Sequence, residues 1–265
     1  MLRRTTRLLL ITTIAIGICA PLRASHSWNG YHWARTSNPF TLTVGDNVSS
    51  VWDAHLDEAL GDWSASAVLD LTAAAGGTRP RPCKRTPGRI EICNATYGRT
   101  DWLGIAQIWI TGGQHITQGV AKMNDTYFNG APYNTYSWRQ LVMCQEIAHA
   151  FGLDHQDEDF DNANLGTCMD YTSRPAGNEH PNSHDYQQLQ SIYSHLDSTT
   201  TVGAATLPRT MPPAMGQIDF DTPGQWGRLV ASTRNGRVQV FELDFGGGNR
   251  VVTHVFWADP QADAR

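Results

Sequence analysis

Beyond its first two dozen residues the chain has no apolar run of membrane-span length, no block of basic residues, no internal repeat and no C-x-x-C pair. A bilayer crossing needs roughly 20 apolar residues, so the first absence excludes an integral membrane helix in the mature chain. The second argues against nucleic acid as a partner: Lys and Arg number 20 against 25 Asp and Glu, a net charge of −5. The missing C-x-x-C spacing counts against a zinc–thiolate site, although five cysteines are present.

The beginning of the chain is different. Arg3, Arg4 and Arg7 precede an apolar stretch of thirteen residues, 8–20, and Ala24 offers a small residue for cleavage. This is the layout of a secretory signal peptide spanning 1–24, too short to be a membrane anchor. Cys19 follows Ile16-Gly17-Ile18, which is not a convincing lipoprotein-cleavage context. Cleavage leaves 241 residues, enough for one sizeable core and an appendage, and moves the net charge to −9 by removing four arginines. The expectation is a secreted, extracellular, monomeric protein with no membrane contact in its mature form.

Cys83, Cys93, Cys144 and Cys168 remain, and in an exported chain an even count points to two disulfides, with three pairings open. Cys83–Cys93 is the natural local pair around Pro87-Gly88, which leaves Cys144–Cys168. Alternation and turn residues predict strands at 40–44, 68–71, 89–93, 103–110 and 116–124. Helical spacing predicts a helix over 51–63 capped by Ser49 or Ser50, a second starting at Ser137, and a third over 183–195. Residues 198–215 have linker composition, and 227–231, 237–245 and 250–257 read as a small β-meander within an extension spanning 216–265. An extension of that size would dock on the main domain rather than fold alone.

The most informative run is Gln145-Glu146-Ile147-Ala148-His149-Ala150-Phe151-Gly152-Leu153-Asp154-His155. Residues 145 and 149 lie one turn apart on the same helix face. Gly152 stands where a helix would end, because glycine enters the left-handed conformation cheaply and lets the chain reverse. Gln145, His149 and His155 thereby converge as potential ligands, with the Glu146 carboxylate beside them.

The run resembles the metzincin motif H-E-x-x-H-x-x-G-x-x-H, matched at Glu146, His149, Gly152 and His155, with Gln145 in place of the first histidine. Met169 follows fourteen residues after His155 and resembles the methionine of the metzincin Met-turn, with Tyr171 two residues beyond it. The resemblance covers about residues 28–197. It implies an α/β (α+β) fold: a mixed twisted sheet, an active-site helix and a Met-turn subdomain within a domain over 25–197. It implies a zinc (Zn2+) site held by Gln145, His149 and His155, with Tyr171 as an added ligand. It also implies an endopeptidase for peptide or protein substrates in which Glu146 is the general base. Residues 102–106 resemble the edge strand that pairs with substrate, and a Cys144–Cys168 disulfide would clamp the helix to the Met-turn.

A glutamine amide oxygen is a weaker zinc donor than an imidazole nitrogen, so lower affinity is expected, with the ion left more electropositive towards water. The alternative is a metal-poor, weakly active or inactive peptide-binding protein on the same scaffold. His115, His180 and His184 are substitute ligands by residue type, but histidines on loops are more often solvated. The acidic run 157–161 lacks EF-hand spacing. Asn47, Asn94 and Asn124 begin N-x-Ser/Thr triplets.

Overall fold

The computed structural model of the chain describes residues 26–217 and 220–259. The expected signal peptide, 1–24, lies outside them. In chain order the elements are β1 (His32–Trp33), β2 (Phe40–Asn47), α1 (Asp53–Ser64), β3 (Leu69–Ala75), β4 (Ile90–Ala95), β5 (Trp102–Thr111), β6 (His115–Asn124), α2 (Asp125–Phe128), α3 (Tyr136–His149), α4 (Ser183–Ile192), α5 (Pro213–Gln217), β7 (Arg228–Ser232), β8 (Val238–Gly246) and β9 (Asn249–Trp257). The result is a mixed α/β protein with one mixed sheet and few helices. No described helix is long and apolar enough to cross a membrane.

The sheet runs β3-β2-β4-β6-β5-β9-β8-β7, with β1 beside the start of β6. From β3 to β6 the strands are parallel, and from β6 to β7 every neighbour is antiparallel. The strands of the C-terminal extension therefore continue the central sheet. All ten residues of β5 are buried, the expected state of a strand covered on both faces. On one face lie α1 and α3, joined by the Trp63 indole N–H donating to the Cys144 carbonyl. Against the other face a second core gathers Trp102, Ile105 and Trp109 of β5 with Met215, Phe220 and Trp226. Residues 198–215, of linker composition, are held down by backbone bonds from Thr201 to Ala34 and from Gly203 to Gly88.

The structure corrects several local expectations. Neither Ser49 nor Ser50 caps α1, whose N-cap is Trp52 without a side-chain bond. The Ser49 hydroxyl is instead engaged by the Asn94 amide. Helix α3 begins before Ser137, because the Thr135 side chain accepts the Trp138 N–H. Helix α4 stops at Ile192, short of His195, and starts from a capping box between Asn182 and Asp185. Most consequential, residues 102–106 are no edge: β5 sits between β6 and β9, paired with β9 from Trp102↔Trp257 to Ile110↔Arg250. The asparagines of the three N-x-Ser/Thr triplets are buried and hydrogen-bonded, which removes them as acceptors on the folded surface.

Candidate metal centre

From Gln140 to His149 every residue of α3 is buried, because the sheet, α1 and the segment after the helix enclose it. Its last turn carries Glu146 and His149, both with no exposed surface. Gly152 ends the turn at φ +99°, where its N–H donates to the His149 carbonyl. A side chain there would meet the Tyr31 carbonyl oxygen as well as a disfavoured backbone angle. The reversal lets the Leu153 carbonyl accept from His149 Nδ1 at 2.8 Å, which leaves Nε2 as the ring's lone-pair nitrogen. His155 follows, its ring centre 4.6 Å from that of His149 and 3.8 Å from that of Tyr171. Trp28 stacks on the outer side of His149, 4.8 Å away and nearly parallel.

A third imidazole enters from the opposite end of the chain. His254 lies on β9 in register with Ala106, its ring 3.9 Å from His149 and 4.8 Å from His155. Gly104 and Ala106 present almost no side chain here, and a Cβ on Gly104 would collide with Glu146 Oε1. His254 Nδ1 stands 3.5 Å from Glu146 Oε2. One donor nitrogen from each of His149, His155 and His254 lies within 4.8 Å of the other two. His149 Nε2, both nitrogens of His155 and His254, and both oxygens of Glu146 are buried without a hydrogen bond.

So many unsatisfied buried polar atoms in one place is the signature of a group that fills the space between them. Burial pushes the His149 imidazole down to about 4 and those of His155 and His254 well below the usual histidine value, so all three stay neutral and able to donate lone pairs. The same burial pushes the Glu146 carboxyl well up.

Of the other expected residues, Gln145 is tied to the turn that carries Met169. The Gln145 amide donates to the Cys168 carbonyl at 3.0 Å, and its own oxygen is buried without a partner. Both disulfides are present. Cys144–Cys168, with Cα atoms 6.0 Å apart, joins α3 to the turn carrying Met169. Cys83–Cys93 joins the second core. Met169 is fully buried, and its carbonyl accepts the Gln156 N–H at 2.6 Å. None of the substitute histidines reaches this group. His180 pairs with Asp62 at 2.8 Å, His184 stacks on His26 beside Asp185, and His115 contacts Asp197 at 3.2 Å. His32, His195 and Asp197 form a further cluster of ligand type. Sequence reasoning passed over His254, although Val252, His254 and Phe256 share one face of a strand whose neighbours on that face are apolar.

No protein-family model matches this sequence, and no curated protein does. Among solved structures the chain is similar to high choriolytic enzyme 1, a hatching-enzyme zinc protease from the medaka fish Oryzias latipes. There the identity is 10% and the TM-score 0.33, over 62% of this chain and 94% of that one. It is also similar to myroilysin, with 12% identity and a TM-score of 0.35 over 61% of this chain and 96% of the other.

Proposed function

We propose that the protein is a zinc-dependent endopeptidase of metzincin type, exported by the signal-like segment at its N-terminus. The observation that carries this reading is the convergence of neutral, unsatisfied imidazoles on the Glu146 carboxylate within a motif spaced E-x-x-H-x-x-G-x-x-H. The donor set suits zinc, which favours imidazole nitrogen. His149 and His155 would hold the ion, with a third donor beside them. Bound there, zinc would supply a Lewis acid for a peptide carbonyl and for water.

The rest falls to the chain's own groups. Glu146, with both oxygens free of other bonds, would be held ionised by the charge of a bound cation against the burial that raises it, and so takes a proton from water and returns it to the leaving amine. Tyr171 packs on His155, and Trp28 on His149, holding the rings in orientation and excluding solvent. The Cys144–Cys168 disulfide ties the helix that carries Glu146 to the Met169 turn.

A second reading has a specific observation in its favour. β9 lies along β5 where a substrate strand would pair, and the side chains of His149, His155 and His254 have no exposed surface. A protein permanently closed in this way would hold metal without cutting peptide.

Zinc content and cleavage of an unfolded protein such as casein, in the parent and in Glu146→Ala, separate the two. The peptidase reading expects zinc in both and a loss of roughly 10²–10⁴-fold in rate in the variant. Zinc-loaded parent protein without cleavage would leave the closed, non-catalytic reading.

A further inference from the structure

Resting on the zinc reading above, we infer that His254 of the C-terminal strand, and not Gln145 of the helix, is the third protein ligand of the metal centre. The motif has lost one imidazole at 145, and the fold returns one to the same space from 109 residues further on.

Three observations converge. The Gln145 amide nitrogen is committed to the Cys168 carbonyl, which anchors that side chain to the Met169 turn. Its remaining oxygen is a neutral amide donor, poorly matched to zinc beside an available imidazole. His254, in contrast, has no exposed surface and neither ring nitrogen hydrogen-bonded, an arrangement that is costly in a core unless a cation takes the lone pair. Finally, the ring is placed by rigid elements. β9 pairs with β5 on one side and β8 on the other, which sets His254 in register with Ala106, a residue whose side chain is a single methyl.

The C-terminal extension is therefore part of the metal centre rather than an appendage. Metal binding and docking of β9 on β5 are linked: each favours the other, and chain lacking β9 holds only two imidazoles. The strand edge that would receive a peptide is spent on delivering the ligand. Substrate must accordingly reach Glu146 by a route other than pairing with β5.

Zinc affinity of the full chain, by competition with a chromophoric chelator, tests this in the parent, Gln145→Ala, His254→Ala and the double variant Gln145→His/His254→Ala. Ions taken by the His26/His184/Asp185 and His32/His195/Asp197 clusters are common to all four and cancel in the differences. The expected result is near-parental affinity in Gln145→Ala and a loss of at least about 100-fold in His254→Ala. The double variant, which restores the histidine of the motif, should recover most of that loss. His254→Asn, closer in shape and polarity, repeats the deletion should His254→Ala fold poorly, with circular dichroism confirming the fold. Cobalt substitution adds a spectroscopic reading, since loss of a ligand changes the visible d–d bands.

Parental affinity in His254→Ala with loss in Gln145→Ala would overturn the assignment and return the ligand to the helix. A parent that binds no zinc would overturn the zinc reading as well, a result distinct from the first.

Discussion

Replacing Gly152 by alanine isolates the feature that brings His155 back to the helix. Two penalties arise there. The residue sits at φ +99°, which for an L-residue costs about 1–2 kcal/mol. The new Cβ would also land on the Tyr31 carbonyl oxygen, a backbone atom just before β1 that cannot swing aside as a side-chain tip could. Overpacking of that kind adds about 1–3 kcal/mol, for a total of about 2–5 kcal/mol. Gly98 is the control: its φ is +95°, nearly the same, with nothing within 4 Å of the added Cβ. Gly98→Ala should therefore lose only the conformational part, about 1–2 kcal/mol. Urea unfolding of both variants gives the comparison. Zinc affinity should fall in Gly152→Ala alone, because the Gly152 carbonyl also accepts the Trp28 N–H and a shifted turn moves both His155 and the ring stacked on His149. Equal destabilisation by the two substitutions would refute the reasoning, since the contact with Tyr31 would then contribute nothing.

Gly104→Ala should push Glu146 from its position while leaving the ligand rings in place, so cleavage should fall about tenfold or more while zinc is retained; unchanged kcat/KM would count against Glu146 as the base. Removing the Cys144–Cys168 disulfide as Cys144→Ala/Cys168→Ala opens a loop with a sequence separation of 24. It should cost about 3 kcal/mol in denaturant unfolding, and a loss under ~1 kcal/mol would show that the clamp is dispensable. Glu91 is fully buried, which raises its carboxyl, but bonds from Arg89, Thr86, Asn47 and Gly77 outweigh that and hold it below its ordinary 4.5. A depressed carboxylate stabilises the fold above its unfolded-state value and loses that contribution as pH falls through the folded one. The gap in urea stability between the parent and Glu91→Gln should thus be widest at neutral pH and close below about pH 4; a gap independent of pH would dismiss the carboxylate's role.

Local chemistry explains how much of the site could be read in one dimension. Glu146, His149, Gly152 and His155 are all within eleven residues of Gln145, so helix periodicity and one glycine suffice to bring them together. The Thr135 cap was harder to see, because Ser137 two residues on is an equally good capping type and only the backbone path decides between them. The order of the strands was not legible at all. Alternation marks 250–257 as a strand but carries no information about which neighbour it pairs with.

Sequence alone determined that a helix and turn carry Glu146, His149 and His155 towards one another, that Gln145 stands where the resemblance expects an imidazole, and that Cys144 and Cys168 immediately precede Gln145 and Met169. Tertiary structure alone decided that β5 is an interior strand and that His254 stands against His149, His155 and Glu146. The physical reason is range. Helix spacing and turn preference act within a few residues, whereas His254 reaches the site through a pairing between strands some 150 residues apart. That pairing is settled by which apolar faces of β5 and β9 can be buried together, and no short stretch of either strand records it.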